Sequence, residues 1–350
     1  MEIIYKKDNL KYFWQKWKEY IRNNIASFRF LPLYVEYMLH YSNNLYNDMS
    51  FVVVENNKCV GICFLPIESE KFNTITLTGG YTVAPLAISE KVEKSIYVEI
   101  EKIAKKYNVK FVKFFLDPLV MEYKQNFNNL LKYEFINTSA TNCLVDLRKY
   151  KNELWKNLRK SYKPIINGIL KNSDFEVFII NQDNADYEIH EYYRKLHHKC
   201  AGVVTRKKET FDKQFEMLKS GYATLMGLKY HGKIIGMQYF FHYQKTAVYA
   251  SGADDPEYTA KKFNIYHPIL WKAQIYFKEK GFEFLEYSQP CGYSKLQGFD
   301  DYLDNKQLNI SHFKRGMGAK MVAFYKGIKY YDKKFLIKDI ENFKERIKNA

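Results

Sequence analysis

The sequence predicts an α+β fold in two tandem domains, each a mixed, mostly antiparallel sheet flanked by helices. Three observations predict it. At 350 residues the chain exceeds the usual size of one domain. From Thr224 to Ser288 it reads as hairpin, strand, loop, helix and strand. The first half shows the same order of elements without repeating the same words. The expected division is 1–150 for a degenerate first domain and 151–350 for a second that carries the active site.

Each element has a local reason. Trp14, Trp17, Tyr20 and Ile21 fall on one helical face, and Leu31-Pro32 ends that pattern. Tyr34, Tyr37, Met38 and Tyr41 suggest another short helix. Ser50–Glu55 and Cys59–Pro66 are apolar runs around the turn Asn56-Asn57-Lys58, a hairpin. Phe72–Thr78 is a third strand, Ser89–Tyr107 an amphipathic helix, and Val109–Leu116 a strand stopped by Asp117-Pro118. Asn142–Leu147 closes the half. A basic helix from Asn152 follows, with Pro164 as its kink point, then a strand at Glu176–Ile180. Tyr187–Lys199 and Thr210–Lys219 are helices. His231-Gly232 turns the second hairpin. Pro268 fits the first turn of a helix, and Gly281 closes it. Tyr325–Lys348 ends the chain as one or two charged surface helices.

The net charge of +16 favours anionic partners, namely CoA, nucleotide sugars, RNA or an acidic membrane surface. Lysine is spread along the whole chain and forms no tail, so a solvated basic surface explains part of it. Five scattered cysteines are expected to be buried reduced thiols, which suits the cytoplasm. The charged N-terminus is not expected to be a signal peptide, and no apolar run approaches the ~20 residues of a membrane span. Peripheral membrane contact stays open. His190, His197 and His198 share a helix, yet no Asp, Glu or Cys completes a metal site, so no metal is expected. Neither a Gly-x-Ser-x-Gly elbow nor a P-loop is present, which removes support from serine-hydrolase and NTPase readings.

Three patches occur in order. They are Gly202…Thr205-Arg206 before a helix with Gln214, His267-x-x-x-Trp271 after a Tyr-Ala-Ser-Gly-Ala strand, and Lys306…Ile310…Phe313-Lys314-Arg315-Gly316-x-Gly318. Over roughly Asn142 to Lys320, this set resembles the FemAB-like acyltransferases of the GNAT superfamily found in bacterial envelope and cell-surface glycan pathways. The resemblance implies two GNAT-like domains and transfer of an acyl or aminoacyl group to an amine. Ordinary GNAT enzymes carry glycines in the loop that cradles a pyrophosphate. Here that loop, Lys261–Pro268, has none.

N-acyl transfer needs a proton acceptor, donors for an oxyanion, and anchors for an anionic donor. His267, where a loop meets a helix N-terminus, is the first candidate base, since that position favours a neutral imidazole. Glu286 is a second base, and Tyr287 a proton donor to the leaving group. A packed histidine and a core tyrosine are the plainer alternatives. Asn264, Tyr266, Lys314 and Arg315 are candidates for binding the donor. Arg206, Gln238, Tyr249, Ser288 and Lys306 are candidates for binding substrate. A surface arginine is the plain reading of Arg206, and a β bulge with solvated cations that of Lys314-Arg315.

The leading reading is a cytoplasmic N-acyltransferase with an acyl-CoA such as acetyl-CoA as co-substrate and no permanent cofactor. Its acceptor would be the amine of an amino sugar nucleotide or similar small molecule. The second reading takes aminoacyl-tRNA as donor, which fits both the basic surface and the lost glycines. The third is a non-catalytic GNAT scaffold that binds an anion. No DNA partner is expected, and either a monomer or a homodimer is compatible with the sequence.

Overall fold

The computed structural model describes residues 1–123 and 127–348. The chain divides into two compact units. The first is 1–140 with 294–303 and 323–350, and the second is 141–293 with 304–322. This departs from the expected division at 150. The reason is a strand near the end, Lys326–Tyr330, which pairs with Phe111–Phe115 and with Ile136–Asn137. Ile328 on that strand is fully buried. The tail expected as surface helix therefore begins as a core strand of the first unit.

In the first unit the hairpin forms as read, with Phe51↔Cys63 in register and both Asn56 and Asn57 at positive φ. Two left-handed residues in succession give the turn that matches strand twist, and asparagine tolerates that conformation. Glu90–Lys106 is a helix capped by Ser89, with Ile96, Ile100 and Ile103 buried. Pro32 opens a helix at Pro32–Tyr41, and Asp117 caps the short helix Pro118–Met121. The strand expected at Phe72–Thr78 is reduced to Asn73–Thr74 plus isolated bridges at Ile75 and Leu77.

The second unit is built on seven strands: β1 (Ala140–Asp146), β2 (Phe175–Ile180), β3 (Ala223–Tyr230), β4 (Lys233–Tyr243), β5 (Thr246–Asp254), β6 (Phe284–Glu286) and β7 (Lys320–Phe324). Their order in the sheet is β2-β3-β4-β5-β6-β1-β7. β2 to β5 form an antiparallel meander, β6 runs parallel to β5, and β1 is antiparallel to β6. The helices are α1 (Lys151–Asn157), α2 (Tyr162–Lys171), α3 (Tyr187–Ala201), α4 (Lys208–Lys219), α5 (Tyr266–Glu279) and α6 (Asn305–Gly316). The expected kink at Pro164 is a full break between α1 and α2. Pro164 lies in the first turn of α2, where its missing N–H leaves no bond unmade. Gly281, at φ +80°, follows α5 as expected of a C-terminal cap. The core lies between the sheet and α2 and α5, around Ile166, Phe240, Ile269, Leu270, Phe277 and Tyr287.

Two cysteine expectations are corrected. Cys143 and Cys291, 148 residues apart, form a disulfide. Pairing of the chain after β6 with β1 brings them together, with Tyr287 N donating to Cys143 O at 2.9 Å. Cys200 is exposed, not buried. Only Cys59 and Cys63 are buried free thiols, and burial pushes the Cys59 thiol up to about 12. The bonded pair gives no support to a reducing compartment. No helix among the described residues is long and apolar enough to cross a membrane.

Candidate active site

The site follows from how β5 and β6 part. They pair only through Thr246↔Phe284, Ala247↔Leu285 and Val248↔Glu286. Against β4, Phe240 pairs with Tyr249 but Tyr239 pairs with Ser251, so Ala250 is an extra residue. Such a bulge bends and twists its strand. β5 then runs on to Asp254 while β6 ends at Glu286. The sheet opens into a split between Tyr249–Asp254 and the residues after Glu286.

Lys314 reaches this split from α6. Its Nζ donates to Ser288 O at 3.1 Å and Gln289 O at 3.0 Å, and lies 5.9 Å from the centre of the Tyr249 ring. Ser288 at φ +57° adopts the left-handed conformation, a strained state for a residue with a side chain. Burial lowers the Lys314 ammonium from its ordinary 10.5 to about 7, and the Glu286 charge opposes that fall. The Glu286 carboxylate accepts from Asn142 Nδ2 at 2.8 Å and from Ser288 Oγ at 3.4 Å. Across the split, Gln238 is fully buried, and neither polar atom of its carboxamide has a well-aligned partner among the described residues. Burial raises the Tyr249 hydroxyl above its usual range, and neighbouring Gln238 opposes the rise. Gly252 has to be a glycine, since a Cβ there would lie 2.5 Å from Tyr249 Oη and 3.2 Å from the Tyr266 ring. Tyr266 continues inward to donate to Asp254 Oδ1 at 2.6 Å.

Of the residues singled out from sequence, Gln238, Tyr249, Tyr266, Glu286, Ser288 and Lys314 therefore gather at the split. The others lie elsewhere. His267 packs edge-on against Tyr162 at 4.4 Å and Phe313 at 4.8 Å, and burial lowers its pKa to about 4. One helix residue away from Tyr266, it faces α2 and α6 rather than the split. Tyr287 alternates away from Glu286 into the core, where its hydroxyl accepts from Gln274 Nε2 at 2.7 Å. Arg206 stacks on Phe211 at 4.0 Å and donates to Gln214 Oε1. Arg315 lies 4.2 Å from the Tyr293 ring and donates to Gly292 O. Asn264 and Lys306 are exposed. Sequence reading missed Asn142, the residue that orients Glu286, because a lone Asn in a strand carries no pattern. No group of three or more His, Cys, Asp or Glu among the described residues could hold a metal.

Lys314-Arg315-Gly316 lies on a helix, not on a β bulge. Gly316 sits where α6 closely approaches the start of α2. A Cβ there would meet the Tyr162 ring at 2.4 Å, and Gly316 O accepts from Arg159 N at 2.8 Å. Its role is to let α6 seat closely on α2 and so fix Lys314. Gly316→Ala is expected to destabilise the protein by about 1–3 kcal/mol. Chemical denaturation measures this, and an unchanged midpoint would refute the close-seating argument.

This two-unit α+β chain, with its split mixed sheet, shares its fold with solved structures that include FemX and L-PGS. In particular it is similar to the crystal structure of FemX, with a TM-score of 0.60 and 12% identity over 84% of this chain and 90% of that one. It is also similar to L-PGS from Bacillus licheniformis, at 0.53 and 13% over 90% and 96%. A third match is the C-terminal domain of a putative lysylphosphatidylglycerol synthetase from Agrobacterium fabrum, at 0.53 and 10% over 80% and 84%. No family model and no curated protein matches the sequence.

Proposed function

We propose that this chain is an acyltransferase of aminoacyl type. It moves an aminoacyl group from its ester on tRNA to the amine of a small acceptor, such as an amino sugar nucleotide or related surface-glycan precursor. The observation that carries this reading is Lys314, a cation buried at the open end of the sheet beside Glu286. The acceptor amine attacks the ester carbonyl carbon while Glu286 takes its proton. The remaining N–H of the Lys314 ammonium donates to the developing oxyanion. Collapse forms the C–N bond, breaks the C–O bond and returns a proton to the departing ribose hydroxyl. With that donor, the protein works in the cytoplasm. The similarity to FemX and to the lysylphosphatidylglycerol synthetases supports the aminoacyl form of the donor.

The loop before α5 supports the same choice. Phe263 packs on Tyr230 at 5.0 Å and Tyr258 at 5.6 Å, and buried Ile265 fills the space over Gly236. The segment is an apolar clip and not an open cradle of backbone amides. Acyl-CoA stays as the second reading on one observation: α5 begins without a side-chain cap, which leaves N–H groups for a phosphate. Thermal shift separates the two. Aminoacylated tRNA is expected to raise the melting point in a salt-dependent way, and acetyl-CoA to leave it unchanged. The reverse result would overturn the tRNA donor in favour of acyl-CoA. No response to either would move the assignment to the non-catalytic scaffold.

A further inference from the structure

Near the end of the chain, α7 (Lys333–Lys348) presents two apolar faces. The inner face is used. Phe335 packs on Phe72 at 4.4 Å and Phe111 at 5.8 Å, Phe343 on Phe299 at 5.4 Å, and Asp339 accepts from Tyr330 Oη at 2.7 Å. The outer face is not covered. Ile337 is 56% exposed, Ile340 48% and Ile347 52%. At ~100° per residue these three share an arc of about 80° with Lys344, and its centre lies about 160° from Phe335, about 120° from Asp339 and about 80° from Phe343.

We propose that this outer face docks on an anionic lipid surface, with the isoleucines entering the headgroup boundary. Charge selects this occupant. The helix carries six Lys or Arg against three Asp or Glu. Among the described residues Lys333, Lys334, Lys338 and Lys344 make no ion pair, so their charge is available. Lys333 and Lys344 lie within or beside the isoleucine arc, where long stems cover apolar surface while the ammonium groups reach phosphates. A second copy would bring two such cationic faces together in a protein of net charge +16. A nucleic acid would engage the lysines and leave the isoleucines in water. An anionic bilayer takes both. This surface is independent of the proposed chemistry.

The test is flotation with phosphatidylcholine vesicles, with and without phosphatidylglycerol, at about 0.05 and about 0.5 M salt. Binding is expected only to the phosphatidylglycerol vesicles and to weaken at the higher salt. I340D/I347D is expected to lower partitioning by about tenfold or more with the melting point unchanged, since both side chains already face water. K333Q/K344Q is expected to weaken it less and to flatten the salt dependence. No binding at low salt would overturn the proposal. So would full binding by I340D/I347D, which would assign attachment to the general basic surface. A concentration-dependent dimer lost in I340D/I347D, without vesicle binding, would assign the face to a second copy.

Discussion

Lys314→Met is expected to abolish turnover, by about a hundredfold or more, while making the protein more stable at low pH. The loss follows from removing an oxyanion donor in a water-poor site. The gain follows from burial, since Lys314 is only 5% exposed. Its folded pKa of about 7 lies below the ordinary 10.5. Below pH 7 the ammonium is charged in both states, and the folded state bears the full cost of burying it. Between about 7 and 10.5 the unfolded chain binds the extra proton, so native stability rises with pH across this window. The variant lacks that gain. Its advantage is therefore largest near pH 6 and shrinks by about 2–3 kcal/mol by pH 9. Loss of the bonds to Ser288 O and Gln289 O offsets a pH-independent part of the advantage. Urea denaturation of both proteins at pH 6 and 9 measures the slope. Equal pH dependence in the two would show that Lys314 titrates normally and is no buried cation. Retained turnover would remove it from the chemistry. In the wild type, kcat/KM is expected to fall as pH rises above about 7, as Lys314 loses its proton.

How much of this was legible follows from the range of the interactions involved. Asn56-Asn57, His231-Gly232, Pro268 and Gly281 act within a few residues, so both hairpins and the bounds of α5 could be read directly. Lys326–Tyr330 could not, because its partner strand Phe111–Phe115 lies some two hundred residues earlier and three of its five residues are lysine or tyrosine. The Cys143–Cys291 bond depends on β1 lying beside β6, a pairing that no local pattern announces. At the site, Glu286 and Tyr287 necessarily point to opposite faces of β6, but which of them faces the split depends on α5 covering the other face. His267 shows the same limit. Its place at a helix start was read correctly, yet the rotation that turns Tyr266 to the split turns His267 towards Tyr162 and Phe313. Lys314 stood in a recognisable motif, but its depressed pKa needs burial, and burial is set by the whole unit.

Glu286→Gln is the complementary experiment, and it separates two roles that the geometry gives one carboxylate. Glu286 is 1% exposed and held by Asn142 and Ser288. A glutamine keeps its shape, and its oxygen can still accept from Asn142 Nδ2, so the fold is expected to survive. A carboxamide cannot take the acceptor amine's proton, so turnover is expected to fall by about 10²–10⁴. The second effect works through Lys314. Glu286 raises the lysine's pKa against the pull of burial, so neutralising it lowers that pKa further. The alkaline limb of kcat/KM is therefore expected to move to lower pH in the variant. A fall in turnover with the limb unmoved would leave Glu286 as proton acceptor but uncouple it from Lys314. A limb that shifts while turnover is kept would make Glu286 a positioning residue that acts through the lysine, with the amine's proton leaving by another route. Wild-type turnover with an unmoved limb would remove Glu286 from the chemistry altogether.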